Sequence, residues 1–124
     1  MREQIRILLA DDHFAARASL AAILQHEDNM EVIGEASDGN AAVELAHELH
    51  PDIIIMDIGM PVMNGIEATR MITSHRPDAR VIGFTMNYQA NLVAAMQKAG
   101  AAACISKGDP IEVLLGAIRN CCPS

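Results

Sequence analysis

The chain has 124 residues, 51% of them hydrophobic and only 2% aromatic, which suffices for one domain with an aliphatic core and excludes both a disordered chain and an aromatic base-stacking surface. Nine Lys and Arg stand against 16 Asp and Glu, a formal charge of −7, so the chain is a poor nucleic-acid binder by itself and suits a divalent cation better. No apolar run approaches the roughly 20 residues of a membrane span, and Arg2-Glu3-Gln4 leads straight into a short apolar segment rather than a signal sequence, so a cytoplasmic location without membrane contact is expected.

The first strand is expected over Ile5-Arg6-Ile7-Leu8-Leu9, ending in Asp11-Asp12. Phe14 to Gln25 follows as a helix, with Leu20, Ile23 and Leu24 at helical spacing. Val32-Ile33-Gly34 reads as a weaker second strand. Ser37-Asp38-Gly39 is a turn able to cap a second helix, which carries Ala42, Val43, Ala46 and Leu49 and is ended by Pro51. Ile53-Ile54-Ile55-Met56 is the third strand, apolar at every position and closed by Asp57. Asn64-Gly65 opens a third helix reaching about Ser74. Val81 to Phe84 is the fourth strand, ending at Thr85; Leu92, Val93 and Met96 mark a fourth helix closed by Gly100. Ala102 to Ile105 is the fifth strand, followed by Ser106-Lys107. Asp109-Pro110 then reads as cap and first turn of a fifth helix with the stripe Ile111, Leu114, Leu115, Ile118. Cys104, Cys121 and Cys122 are odd in number with two adjacent, which predicts reduced thiols, Cys104 being a small core residue.

Apolar strands without period-two alternation, separated by helices, predict a parallel sheet covered on both faces. Right-handed crossovers make it an open doubly wound α/β sheet, and by analogy with domains of this size the flavodoxin-like order 2-1-3-4-5 with five helices is expected.

In such sheets ligands bind beyond the carboxyl ends of the strands. The polar residues there are Asp11, Asp12, Asp57, Thr85 and Lys107. Singly, each has a plain structural reading: Asp11 or Asp12 as a helix N-cap, Thr85 as a strand end, Lys107 as a solvated loop residue. Jointly they converge on one patch. Three carboxylates and one ammonium sum to −2, and the clustered carboxylates repel one another unless a further cation intervenes. An all-oxygen site suits Mg²⁺ rather than Zn²⁺, with His13 expected to point away. Such a site lets Asp57 act as nucleophile toward a phosphoryl group, with Lys107 and Thr85 holding phosphoryl oxygens.

At Ala10-Asp11-Asp12-His13, Glu35-Ala36-Ser37-Asp38-Gly39, Pro51-Asp52 through Asn64-Gly65, Thr85 and Ser106-Lys107, the sequence resembles the receiver domain of bacterial two-component response regulators, over essentially the whole chain. Asp12-His13, Val32 to Ala36 and Gly65 to Thr69 look most like the NarL/FixJ (LuxR-type) subfamily. The resemblance implies one CheY-like receiver domain over residues 1–124, a phosphoryl group accepted on Asp57 from a sensor histidine kinase, and a C-terminal helix-turn-helix domain outside this chain through which DNA is bound and transcription controlled. It also implies Mg²⁺ held by Asp11, Asp12, Asp57 and the Gly59 carbonyl, Thr85 as switch hydroxyl, Lys107 as phosphate partner, and homodimerisation on phosphorylation. Three positions depart from the usual pattern. Cys104 stands where such domains carry Tyr or Phe, Gly108 where many carry Pro, and Met86 where Ala is common. Tyr88, in the next loop, is not a ready substitute for the aromatic. Gly108 should make its loop more mobile.

Three competing readings remain. A haloacid-dehalogenase-like phosphatase wants a second Asp two residues after the nucleophile, where this chain has Gly59. A flavodoxin-like FMN binder would set phosphate against Asp11-Asp12, which repel it. A stand-alone or phosphorylation-independent receiver acting through protein contacts is kept open by Cys104. The expectation is a switch domain, not a turnover enzyme.

Overall fold

The computed structural model describes residues 4–121, so the thiol reading for Cys122 falls outside the described residues. Five strands alternate with five helices in the order β1 (Ile5–Ala10), α1 (Phe14–Gln25), β2 (Met30–Ala36), α2 (Gly39–Leu49), β3 (Ile53–Met56), α3 (Gly65–His75), β4 (Arg80–Thr85), α4 (Ala90–Ala99), β5 (Ala103–Ser106) and α5 (Ile111–Cys121). The sheet is parallel throughout and ordered β2-β1-β3-β4-β5, the doubly wound topology expected from the sequence.

The missing alternation in β3 has a direct cause. Ile54 and Met56 join Leu8, Ala10 and Val81 in one core, against Ala42 and Ala46 of α2, Ala68 and Ile72 of α3 and Met96 of α4. Ile53 and Ile55 join Ile7, Leu9 and Ile82 in the other, against Leu24 of α1 and Leu114, Leu115 and Ile118 of α5. Both faces of the strand are therefore apolar, and each buried Ile is worth roughly 1.5–3 kcal/mol over an exposed one. Among the described residues, no helix is long and apolar enough to cross a membrane.

Caps set the helix starts. Asp38 accepts from the Ala41 N–H at 2.8 Å and Asn64 from the Glu67 N–H at 3.0 Å. Gly100, at φ 113°, ends α4 in the left-handed region. At α1 the cap position is His13, without a side-chain cap bond, so the plain reading of Asp11 or Asp12 as an N-cap does not hold. At α5 the helix begins at Ile111, and the Val113 N–H donates to the Pro110 carbonyl, so Pro110 precedes the first turn. β2 is longer than its apolar triplet because its pairing with β1 runs from Met30 to Ala36, slipping between Ile7 and Leu8 to leave Ile33 out of register.

Candidate functional site

The backbone ladder continues past the strand ends and fixes the polar residues there. The Asp11 N–H donates to the Ala36 carbonyl, the Asp57 N–H to the Ala10 carbonyl, and the Lys107 N–H to the Thr85 carbonyl, at 2.8–3.0 Å. Asp11, Asp57, Thr85 and Lys107 are thus set one beside the next along the carboxyl edge of β1, β3, β4 and β5, with Asp12 next to Asp11.

Their side chains meet. Lys107 Nζ lies 2.5 Å from Asp11 Oδ2 and 3.6 Å from Asp57 Oδ2. The three side chains are only 11%, 12% and 9% exposed, so the pairing is shielded from solvent. Thr85 is buried, and its Oγ1 accepts the Asn87 N–H at 3.1 Å. These groups face a cleft of about 410 Å³ whose polar wall includes Asp57, Thr85 and Lys107 and whose apolar wall includes Ile66 and Leu92. Exposed Met86 stands on its lining, and beside Gly59 an added Cβ would meet nothing within 4 Å.

The acids differ in charge state. Burial pushes the Asp11 carboxyl up, but the Lys107 ammonium and the His13 backbone N–H outweigh it and hold the group below its ordinary value. Burial also raises Asp57; Asp11 and Asp12 add to the rise, and Lys107 and the Gly59 backbone oppose it without cancelling it. The surroundings of Asp57 thus disfavour its charged form, whereas those of Asp11 favour it.

His13 corrects the sequence reading. It does not point away: its Nδ1 lies 3.3 Å from Asp11 Oδ1 and 3.2 Å from Asp12 Oδ1. Asp11, Asp12, His13 and Asp57 each offer a ligand atom, all within 4.8 Å of one another. Asp12 Oδ1 is buried and accepts no hydrogen bond, its neighbour being the His13 ring.

Cys104 pairs with Gly83 across β4 and β5, and its Sγ fills the space a Gly83 side chain would need, next to Met96. It is half-buried, and burial raises its thiol, as it does that of Cys121. Tyr88 is exposed on the β4–α4 loop.

Several determinants escaped the sequence reading. Arg17 donates from one guanidinium nitrogen to the Asp11 carbonyl at 2.6 Å and from Nε to Glu35 at 2.8 Å, tying the acid loop to β2. A cation near a helix N-terminus opposes the helix dipole, and that was the available signal. Gly65 allows α3 to touch β3's exit: a Cβ there would stand 2.0 Å from the Asp57 carbonyl oxygen. Gly39 does the same against the Met63 carbonyl, also at 2.0 Å. Between these two contacts the chain makes a three-residue turn, with the Met63 N–H donating to the Pro61 carbonyl at 2.7 Å around Val62 at φ 68°.

Residues 7–119 match the family description of the response regulator receiver domain. The transcriptional regulatory protein LiaR of Bacillus subtilis is 44% identical over 115 residues, 93% of this chain and 54% of its own length. The chain thus spans about half the length of the curated relatives it matches. Among solved structures, the response regulator domain of Thermotoga maritima CheB is 36% identical with a TM-score of 0.89, covering 96% of each chain. A LuxR-family two-component response regulator from Aurantimonas sp. SI85-9A1 is 33% identical with a TM-score of 0.91, covering 95% of this chain and 84% of that one.

Proposed function

The chain belongs to the response regulator receiver domain family, in its NarL/FixJ (LuxR-type) branch, and from that membership we propose that Asp57 is its phosphoacceptor, taking a phosphoryl group from the phosphohistidine of a sensor histidine kinase. The observation that carries this reading is the buried Asp57 carboxylate opening on a cleft it shares with Thr85 and Lys107, the ammonium 3.6 Å away.

In the proposed transfer an Asp57 oxygen attacks phosphorus while the P–N bond of the donor breaks, its electron pair returning to the imidazole nitrogen. The acyl phosphate adds charge and acceptor oxygens where a carboxylate stood. Lys107, bonded to Asp11 before transfer, turns its ammonium to a phosphoryl oxygen. The Thr85 hydroxyl, held as acceptor by Asn87, donates to another. Asp11, Asp12 and Asp57, with the Gly59 carbonyl, would hold Mg²⁺, a fit supported by the hard oxygen donors and the buried Asp12 oxygen that accepts no hydrogen bond. Bound there, Mg²⁺ supplies charge neutralisation and grip on phosphoryl oxygens.

Drawing in Thr85 and Lys107 pulls on β4 and β5 and repacks the α4-β5-α5 face, which we propose as the surface for a homodimer. In the full protein a C-terminal helix-turn-helix domain outside these residues would bind DNA and control transcription, supported by relatives that are transcriptional regulators of about twice this length. Gly59 stands where an aspartyl phosphatase needs its acid, so the domain is proposed as a switch rather than a turnover enzyme. A second reading, action through protein contacts without phosphate, is favoured by one observation: Cys104 lacks the aromatic bulk that would follow Thr85 inward.

Incubation with Mg²⁺ and acetyl phosphate, read by intact mass, should give one phosphoryl adduct on the protein and none on Asp57→Asn. No adduct, or an unchanged adduct on Asp57→Asn, refutes the phosphoacceptor assignment. A beryllofluoride complex that leaves oligomeric state and α4 and α5 amide shifts unchanged would instead favour the second reading.

A further inference from the structure

The cation site contains a nitrogen that an all-oxygen description leaves out. An Asx turn, with Asp11 Oδ1 accepting the His13 N–H at 2.8 Å, fixes the base of the His13 side chain beside the acids. From there Nδ1 reaches 3.3 Å from Asp11 Oδ1 and 3.2 Å from Asp12 Oδ1. Two ligands on one ion with bonds of about 2.1 Å stand roughly 3.0 Å apart at a right angle and 3.4 Å apart at the tetrahedral angle. The imidazole nitrogen and the two carboxylate oxygens therefore already have the spacing of neighbouring ligands on one ion. The buried Asp12 oxygen without a hydrogen-bond partner lies in the same group.

We propose that His13 is a nitrogen ligand of the divalent-cation site, so that the acids and the Gly59 carbonyl hold Mg²⁺ while borderline cations of the Zn²⁺, Co²⁺ and Ni²⁺ class gain an imidazole ligand in addition. This rests on the cation site proposed above and adds to it a selectivity. Imidazole favours the later transition metals, whereas Mg²⁺ prefers oxygen and keeps its waters. The ring is 71% exposed, so it swings onto an incoming ion without unpacking the core. A His13 that only pairs with its neighbouring acids would affect every divalent cation alike. A His13 that ligates discriminates by metal.

The test uses the tag-free protein with Co²⁺ and Mg²⁺ added separately, affinities being read by calorimetry and by the visible bands of Co²⁺. His13→Ala should weaken Co²⁺ tenfold or more and change Mg²⁺ less than twofold. Asp12→Asn should weaken both, which assigns the ions to this site rather than to another histidine. Because His13 makes no side-chain cap bond, the variant keeps α1. Independently of any substitution, the Co²⁺-loaded protein should show a hyperfine-shifted imidazole N–H resonance that excess Mg²⁺ abolishes. Equal losses for both metals, no loss for Co²⁺, or no such resonance overturns the proposal. If Mg²⁺ still binds and Asp57 is still phosphorylated in those cases, the receiver site stands and only the nitrogen ligand falls. Failure of Mg²⁺ binding in the unaltered protein would sink both.

Discussion

Gly65→Ala puts one methyl group into the contact that locks the exit of β3. Its Cβ would stand 2.0 Å from the Asp57 carbonyl oxygen and 2.8 Å from Ile58 Cα. Ordinary contact lies near 3.5 Å, so backbone must move by more than about 1 Å, and no flexible side chain is available to give way. Overpacking of this kind costs about 1–3 kcal/mol. The better helix propensity of Ala returns less than about 1 kcal/mol, little of it at a first helical residue. A net loss of about 2 kcal/mol, or roughly 5–10 °C in Tm at this chain length, is expected. Because the displaced atoms belong to Asp57 itself, phosphorylation by acetyl phosphate should slow on the order of 100-fold. The control is Gly116→Ala in α5, where the new Cβ meets nothing within 4 Å. It should stabilise by about 0.5–1 kcal/mol and leave phosphorylation unchanged. Urea unfolding followed by circular dichroism, with adduct formation timed by mass, reads both quantities. Gly65→Ala within about 0.5 kcal/mol of the unaltered protein, with an equal rate, would refute the reasoning.

Lys107→Met removes the cation from among three acids and should cost about 2–3 kcal/mol at neutral pH without Mg²⁺, less than a fully buried pair because the site borders a cleft. Asp11 is held below the ordinary carboxyl value of 3.8, so the stability it draws from Lys107 is present above that pH and lost as pH falls through the lowered value; the Lys107→Met deficit should shrink there in step. Asp57 has the opposite sign. Its raised group favours the folded state below 3.8 and loses that contribution as pH rises, so Asp57→Asn in EDTA should gain stability over the unaltered protein across that rise and then level off; a flat difference would contradict it. Val62 is 84% exposed and held at φ 68°, a conformation costly for a β-branched residue, so Val62→Gly should add about 1 kcal/mol of stability, seen as a higher urea midpoint, and a lowered midpoint would rule the strain out.

The fold was legible because its signals are local and repeated. Ile53 to Met56 has no alternation, and a strand apolar on both faces belongs in the middle of a layered sheet. Asp38, Asn64 and Gly100 cap where their chemistry allows. The convergence of Asp11, Asp57, Thr85 and Lys107 followed from topology alone, since each directly follows or ends a parallel strand. What sequence could not carry was direction and clearance. His13 reads as one more loop residue until the Asx turn at Asp11 aims it. Gly39 reads as a turn residue and Gly65 as a helix start, whereas both also let helix backbone touch loop backbone. β2 was cut short because Glu31 and Glu35 hide an edge strand whose extent is set by its partner.

Lys107 also ties the site to the order in which the molecule assembles. It follows β5, an edge strand whose four residues are all half-buried, whereas β3, which carries Asp57, is buried throughout. It lies 96 residues from Asp11, the acid it pairs with. An edge strand less buried than its neighbours belongs to the part of a fold that opens more readily. A chain with β5 undocked therefore presents Asp11, Asp12 and Asp57 without their ammonium, a patch of uncompensated negative charge that repels a phosphoryl donor. The one ammonium among the three acids is therefore in place only with β5 docked, so the chemistry proposed for the site depends on complete folding.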